Sequence, residues 1–230
     1  GLLRGLMLDV VAPWFRWFDR WGGQQPDLVL ANSRHTAKRI QTAWDRDAAV
    51  VYPPVRTHFF TPDASPRDTF LLWAGAIEPA KRLDRVMALA ERHGRRLVVV
   101  GEGSQSARMR RVAGEHTTFL GRVSDERLRE LYRTAAAFVQ LHEEDFGITV
   151  VEALACGCPV MVHCTGGHAE IVTDGVGVQV DAENVEAIDS GFTQLLQQSW
   201  DPAPAVARAR AFSPSVFDKA IKSAIRQLGF

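Results

Sequence analysis

Between residues 69 and 163, apolar runs of strand character alternate with helical stretches, and this alternation constrains the fold more than any other feature. Runs 69–75, 96–100, 117–120, 136–141 and 159–163 read as strands, and 79–93, 105–113, 125–134 and 149–156 read as helices. Strands separated by helices pair in parallel, which predicts an α/β fold with a Rossmann-like doubly wound parallel sheet. A shorter strand at 178–180 follows, then helices at about 185–197, 206–211 and 214–228. Upstream, strand 27–31, a helix at 34–44 capped by Asn32-Ser33, and strand 49–52 form a smaller strand-helix-strand unit stopped by Pro53 and Pro54. The expected organisation is a partial second α/β domain over 1–55, a linker over 56–68, the main domain over 69–211, and a closing helix in 212–230.

Composition excludes disorder, collagen-like repeats and coiled coil: 46% of residues are hydrophobic and 23% charged. Lys plus Arg and Asp plus Glu balance at 27 each, which leaves no global footprint for nucleic acid. The distribution is uneven. Residues 81–133 hold thirteen basic and seven acidic side chains, whereas 134–207 hold eleven acidic ones and no Lys or Arg. A phosphate-bearing ligand must draw its cations from the first block. Cys156, Cys158 and Cys164 lack paired C-x-x-C spacing and read as small buried thiols of a reducing cytosol. Charges interrupt every apolar run, so no membrane-spanning helix is expected. The first 23 residues place Leu2, Leu3, Leu6, Met7, Val10 and Val11 at helical spacing before Trp14, Phe15, Trp17, Phe18 and Trp21. This face reads either as part of a core or as a membrane-docking surface.

Open parallel sheets bind ligands beyond the carboxyl ends of their strands, so the strand-to-helix junctions are the places to look for chemistry. Gly101-Glu-Gly103 follows three valines and opens a helix, where amides meet a phosphate or the chain simply turns tightly. Lys81 and Arg82, with Gly75 before them, put two cations at the start of a helix; they are either solvated or facing an anion. Glu143-Glu144-Asp145 is a mutually repelling run that calls for donors or ligand hydroxyls. Glu144 and Glu152 are spaced across the junction and the first turns of the next helix, whose amides at Phe146, Gly147, Ile148 and Thr149 suit a diphosphate. An acidic first turn capping the helix is the alternative.

The run from Glu144 to Glu152, followed by Ala-Leu-Ala-Cys-Gly-Cys-Pro-Val, resembles the E-x7-E motif of the retaining family-4 glycosyltransferases of GT-B fold. Ala31-Asn-Ser, Tyr52-Pro-Pro-Val, Pro79-Ala-Lys-Arg, Val100-Gly-Glu-Gly, Phe119-Leu-Gly-Arg-Val-Ser-Asp and Gly166-Gly-His-Ala-Glu170 have counterparts there in the same order. The Glu-Glu-Asp-Phe-Gly-Ile variant is most similar to mannosyltransferase-like members of polysaccharide pathways.

The resemblance implies transfer of a sugar, mannose favoured, from a nucleotide-diphosphate donor such as GDP-mannose to a glycan or lipid-linked acceptor, with retention and without a metal or other cofactor. Lys81, with Arg82 beside it, matches the donor-diphosphate contact. Glu144 matches the glutamate near the transferred sugar and Glu152 the one bonded to the ribose. Phe146, Gly147 and Ile148 match the segment whose amides meet sugar and phosphate, and Arg122 and Val123 the loop beside the base. Many relatives carry arginine where Ala76 follows Gly75, so either Arg82 takes over that charge or donor affinity is weakened. Only 1–55 resemble the acceptor-side domain, so most of that domain is expected to lie outside this chain. An isolated nucleotide-sugar-binding module is therefore the main alternative to an active transferase. An NAD-binding Rossmann domain is disfavoured, since neither a complete G-x-G-x-x-G nor its downstream acid is evident. A cytoplasmic protein is the expected setting, with the aromatic first segment read first as a core helix and alternatively as a contact with the cytoplasmic membrane face.

Overall fold

The structure, a computed structural model, describes residues 2–226 and 228, with side chains from residue 11 onward except that of residue 227. Helix α1 (Leu2–Gly23) runs through Pro13; the side chains of Leu2, Leu3, Leu6, Met7 and Val10 lie outside the described residues. Trp14, Phe15, Trp17, Phe18 and Trp21 are all more than half exposed. Strand β1 (Leu30–Ala31), helix α2 (Arg34–Trp44) and strand β2 (Ala49–Val50) follow, with β1 and β2 paired in parallel. Ser33 caps α2 by accepting a hydrogen bond from the Thr36 amide at 3.0 Å. The strands are shorter than the apolar runs 27–31 and 49–52 because each has a single partner and the ladder ends after two residues.

Six strands, β3 (Leu71–Ala74), β4 (Leu97–Val100), β5 (Thr117–Gly121), β6 (Ala137–Gln140), β7 (Val160–His163) and β8 (Gly177–Val180), form one parallel sheet in the order β5-β4-β3-β6-β7-β8. The chain leaves β3 in one direction for β4 and β5, then returns to the other side of β3 for β6. That reversal opens a crevice at the carboxyl ends of β3 and β6.

Period-two alternation gives the sheet two apolar faces. Leu72, Ala74, Phe138 and Val160 pack against α5 (Asp125–Thr134), α6 (Ile148–Ala155) and α9 (Pro202–Arg210). Leu71, Trp73, Val139 and Met161 pack against α3 (Leu83–Arg92) and α8 (Val185–Gln197). Helices α4 (Ser106–Val112), α7 (Gly167–Ile171) and α10 (Pro214–Arg226) complete the chain.

Several sequence expectations change in detail. The helix expected over 79–93 is broken: Pro79–Lys81 is a 3₁₀ turn, and Arg82 takes the left-handed conformation (φ 44°) before α3 begins. Helix α9 starts at Pro202, four residues earlier than expected, because the Asp201 side chain accepts the Ala203 amide and Pro202 occupies the first turn. Helix α7 is too short for a hydrophobic period to mark it, and no side chain caps its start. The segment 56–68, expected as a linker, is fastened to the main sheet's helices. Arg67 donates to the carbonyls of Ala135 (2.9 Å) and Gly157, Arg133 donates to Thr61 O (2.6 Å), and the Phe60 ring is fully buried. Cys156 and Cys158 are buried, and burial pushes their thiols up to about 12 and about 11. Cys164, by contrast, is exposed, because it lies past the end of β7.

Candidate active site

The glycines of the first two loops pack backbone on backbone. A Cβ on Gly101 (φ 118°) would stand 1.9 Å from Gly75 O, and one on Gly103 would stand 2.5 Å from Ile77 O. Their amides are committed within the protein. Gly101 donates to Gly121 O (2.7 Å), Gly103 to Ser106 Oγ (2.8 Å), and Ser104 to Glu78 Oε1 (2.8 Å). Of the two readings of Gly101-Glu-Gly103, this geometry fits the tight turn, which seats the β4 loop against the β3 loop.

At the β3/β6 crevice lies a cleft of about 430 Å³. Lys81, Gly75 and Ala76 from the β3 loop, Gln140 and Glu144 from the end of β6, and residues 146–149 at the start of α6 line it. Asn32 and Pro53, from the smaller strand-helix-strand unit, close the opposite side.

Arg82 does not join Lys81 there. Its left-handed backbone turns the guanidinium away, where Nε and one terminal nitrogen donate to the Asp84 carboxylate at 3.2 Å. It lines a separate hollow with Pro79 and Met109. As to the two alternatives for the charge absent at Ala76, this placement does not set the Arg82 guanidinium beside Ala76. Arg122 is also exposed and pairs with Glu102 at 3.5 Å, while Val123 leans on the core beside α5. Both stand at the β5 edge, away from the cleft lining.

The three consecutive carboxylates do not share a site, and each has its own cation or imidazole. His35 Nε2 lies 3.1 Å from Glu143, and Arg39 donates to Asp145 at 2.6 Å, both from α2. Lys81 Nζ pairs with Glu144 Oε2, the same oxygen that His142 Nε2 approaches at 3.3 Å. Burial pushes the Glu144 carboxyl up, but the hydrogen bonds from His142 and Lys81 outweigh it and hold the group at about 2. Glu144 is thus an anion at every physiological pH.

Helix α6 begins at the cleft. Gly147 (φ 108°) turns the chain into it, and a Cβ at that position would strike the His168 Cβ at 2.8 Å. The first amides of a helix have no partners within it, so this end presents donors and a positive dipole end to the cleft. Thr149, in the first turn, receives a hydrogen bond from Gln140 Nε2 at 2.9 Å. One turn on, Glu152 points to the α5 flank, where the Tyr132 hydroxyl donates to it at 3.3 Å. Burial raises its carboxyl to about 7 despite that hydrogen bond and nearby Arg56.

Several functional-looking residues were not singled out by sequence. Gln140 and His142 are buried polar groups whose roles depend on neighbours brought by α6 and the β3 loop. Glu170 accepts the first free amides of α2, from Arg34 (3.1 Å) and His35 (2.7 Å), and the Tyr52 hydroxyl (2.9 Å). Its place in Gly166-Gly-His-Ala-Glu170 was visible, but not the helix it caps.

Residues 55–212 match the family described as "Glycosyl transferases group 1". The chain belongs to this family. This glycosyltransferase chain is 32% identical over 213 residues to a D-inositol 3-phosphate glycosyltransferase of Mycolicibacterium smegmatis, a match covering 81% of this chain and 48% of the relative. It is 30% identical over 217 residues to a GDP-mannose-dependent alpha-(1-6)-phosphatidylinositol monomannoside mannosyltransferase of the same organism, over 80% of this chain and 56% of the relative. Among solved structures, an Anabaena protein in complex with UDP and glucose superimposes with a TM-score of 0.72 at 20% identity, over 86% of this chain and 62% of that one. The glycosyltransferase chain spans about half the length of the curated relatives it matches. Its α/β fold with a six-stranded parallel sheet is that of the GT-B glycosyltransferases.

Proposed function

We propose that the cleft binds a nucleotide-diphosphate sugar and that this chain supplies the donor half of a retaining transfer to a glycan or lipid-linked acceptor, with mannose from GDP-mannose the favoured donor. The observation that carries this reading is the juxtaposition of Lys81, Glu144 and the open end of α6 in one cleft. A ligand that fits must present an anion beside hydroxyl groups, which is the chemistry of a sugar joined to a diphosphate. The mannosyltransferase relative adds weight to the GDP-mannose choice.

In this reading Lys81 and the α6 amides stabilise charge on the leaving diphosphate, with Thr149 adding a hydroxyl donor. Preorganised donors of this kind act without reorganisation at the moment of bond breaking. Glu144 accepts hydrogen bonds from the sugar's hydroxyls and orients the ring; it is not assigned as a nucleophile. The ribose is assigned to Glu152, one turn along α6 and on its α5 flank beside the cleft lining. No metal or cofactor is invoked. We place the protein in the cytoplasm, with the exposed aromatic face of α1 as its contact with the cytoplasmic membrane face; among the described residues no helix is long and apolar enough to cross a membrane.

Incubation with GDP-mannose or UDP-glucose and a lipid-linked or glycan acceptor, with the product anomer assigned by NMR, tests the proposal. An α-linked product from an α-linked donor is expected, and a β-linked product would overturn it. The half-length match favours one second reading, a nucleotide-sugar-binding module that needs a further polypeptide to transfer. Donor binding without turnover marks that outcome.

A further inference from the structure

Gln140 and His142 stand two residues apart at the carboxyl end of β6, and both are almost wholly buried, at 3% and 1% exposure. Each turns one nitrogen, Gln140 Nε2 and His142 Nε2, to a different cleft group. Gln140 Nε2 donates to Thr149 Oγ1 at 2.9 Å and to the Ala74 carbonyl at 3.3 Å. That second bond fixes the orientation of the amide, since a carbonyl accepts and never donates. With Thr149 Oγ1 receiving from Gln140, its own hydroxyl proton is left to point elsewhere, and Thr149 lines the cleft. His142 Nε2 lies 3.3 Å from Glu144 Oε2, and because Glu144 is ionised the imidazole must be the donor. The other oxygen, Oε1, accepts the Asp145 amide at 3.2 Å. Behind His142 the ring of His168 stacks edge-on at 6.2 Å, its Nε2 donating to His163 O, and burial lowers its pKa to about 4, so it is a neutral backing group.

We propose that Gln140 and His142 are a buried pair of positioning residues with separate roles: Gln140 aims the Thr149 hydroxyl at the donor's diphosphate, and His142 aims the Glu144 carboxylate at the donor's sugar. This rests on the reading of the cleft as a nucleotide-sugar site. Lys81 pairs with Glu144 and, in that reading, also meets the donor's diphosphate. His142 is then the side-chain donor that keeps Glu144 in place when the ammonium turns to phosphate.

The separation is what a merely structural role would not produce. Calorimetric titration of the full chain with GDP and GDP-mannose, and with UDP and UDP-glucose, reads the two halves apart. For His142→Phe, which keeps the volume and loses the donor, affinity for the nucleotide sugar is expected to fall about tenfold, the cost of one lost charge-assisted hydrogen bond. Affinity for the bare nucleoside diphosphate is expected to stay within about twofold, and His142→Asn, which restores an N–H, to recover most of the loss. For Gln140→Met the two ligands are expected to weaken by the same factor, because the diphosphate is common to both. Equal weakening of both ligands by His142→Phe, no weakening by either variant, or failure of His142→Asn to rescue would overturn the pairing. If the unaltered protein bound none of the four ligands, the nucleotide-sugar reading itself would fall, and the pairing with it. Should His142→Phe not fold, the His142→Asn and Gln140→Met titrations still discriminate, since Asn leaves the sugar increment near the unaltered value while Met lowers both affinities together.

Discussion

Lys81 and Glu144 reach each other across the point where the sheet reverses, one from the loop after β3 and the other from the loop after β6. The two residues come from opposite ends of an uneven charge distribution: the lysine opens the basic block and the glutamate lies in the stretch without Lys or Arg. Folding brings the two blocks face to face at the cleft and again beside α3, where Arg85 pairs with Glu183 and Arg92 with Asp189, while His35 and Arg39 of α2, outside both blocks, take the neighbouring carboxylates Glu143 and Asp145.

The pairing has a pH signature. Glu144 titrates at about 2 in the folded protein against an ordinary value of 4.5, so the folded state binds its proton more weakly than the unfolded one. Its contribution is fully present above about pH 5 and is lost as pH falls through 2. Glu144→Gln is therefore expected to cost on the order of 3 kcal/mol at pH 7 and progressively less toward pH 2. Urea unfolding at pH 7, 4 and 3 checks this; a cost independent of pH would contradict it.

Glu152 has the opposite sign. Burial raises its carboxyl to about 7, so the folded state holds the proton more tightly than the unfolded chain, and the group becomes a burden as pH rises from 4.5 through 7. Glu152→Gln is expected to raise the melting temperature at pH 8, by roughly 3 kcal/mol of stability at most, and to change little at pH 4. Scanning calorimetry at the two pH values measures the difference.

Glu170 ties α2 to the main sheet by accepting two of its first amides and the Tyr52 hydroxyl. Glu170→Ala removes a helix cap with a charged acceptor and is expected to cost about 2 kcal/mol. Amide exchange is the sharper readout, since protection should fall at Arg34 and His35 more than in β3 or β6.

Gly101 has no room for a side chain, because a Cβ would lie 1.9 Å from the Gly75 carbonyl and its φ of 118° is unfavourable for any other residue. Gly101→Ala is expected to destabilise by more than 3 kcal/mol. Gly94→Ala, also at positive φ (56°) but with open space around it, is expected to cost only about 1 kcal/mol. Chemical denaturation of the two variants separates steric exclusion from backbone preference.

The parts of the fold written in local chemistry are legible in the sequence. Helices α2, α5 and α8 begin where Ser33, Ser124 and Asn184 accept an amide of the first turn, and the residues expected for these helices are the residues found. Where a boundary depends on packing, the sequence was silent: nothing local to Pro79-Ala-Lys-Arg marks Arg82 as left-handed. The same contrast holds in the cleft. Lys81, Glu144, Gly147 and Thr149 follow from motif and spacing, whereas the turning away of Arg82 and the engagement of the Gly103 amide follow from neighbours. Gln140 and His142 are ordinary polar residues at a strand end until α6 folds over one and the β3 loop brings Lys81 beside the other.

The most direct test of the central claim is calorimetric titration of the unaltered chain and of Lys81→Ala with GDP-mannose, UDP-glucose and their nucleoside diphosphates. The unaltered chain is expected to bind at least one of these pairs, and Lys81→Ala to weaken the diphosphate and its sugar alike by roughly 30-fold, the loss of one charged contact worth about 2 kcal/mol. Equal affinity in the two proteins, or no binding by the unaltered chain, would contradict a cleft built to hold a nucleotide-diphosphate sugar.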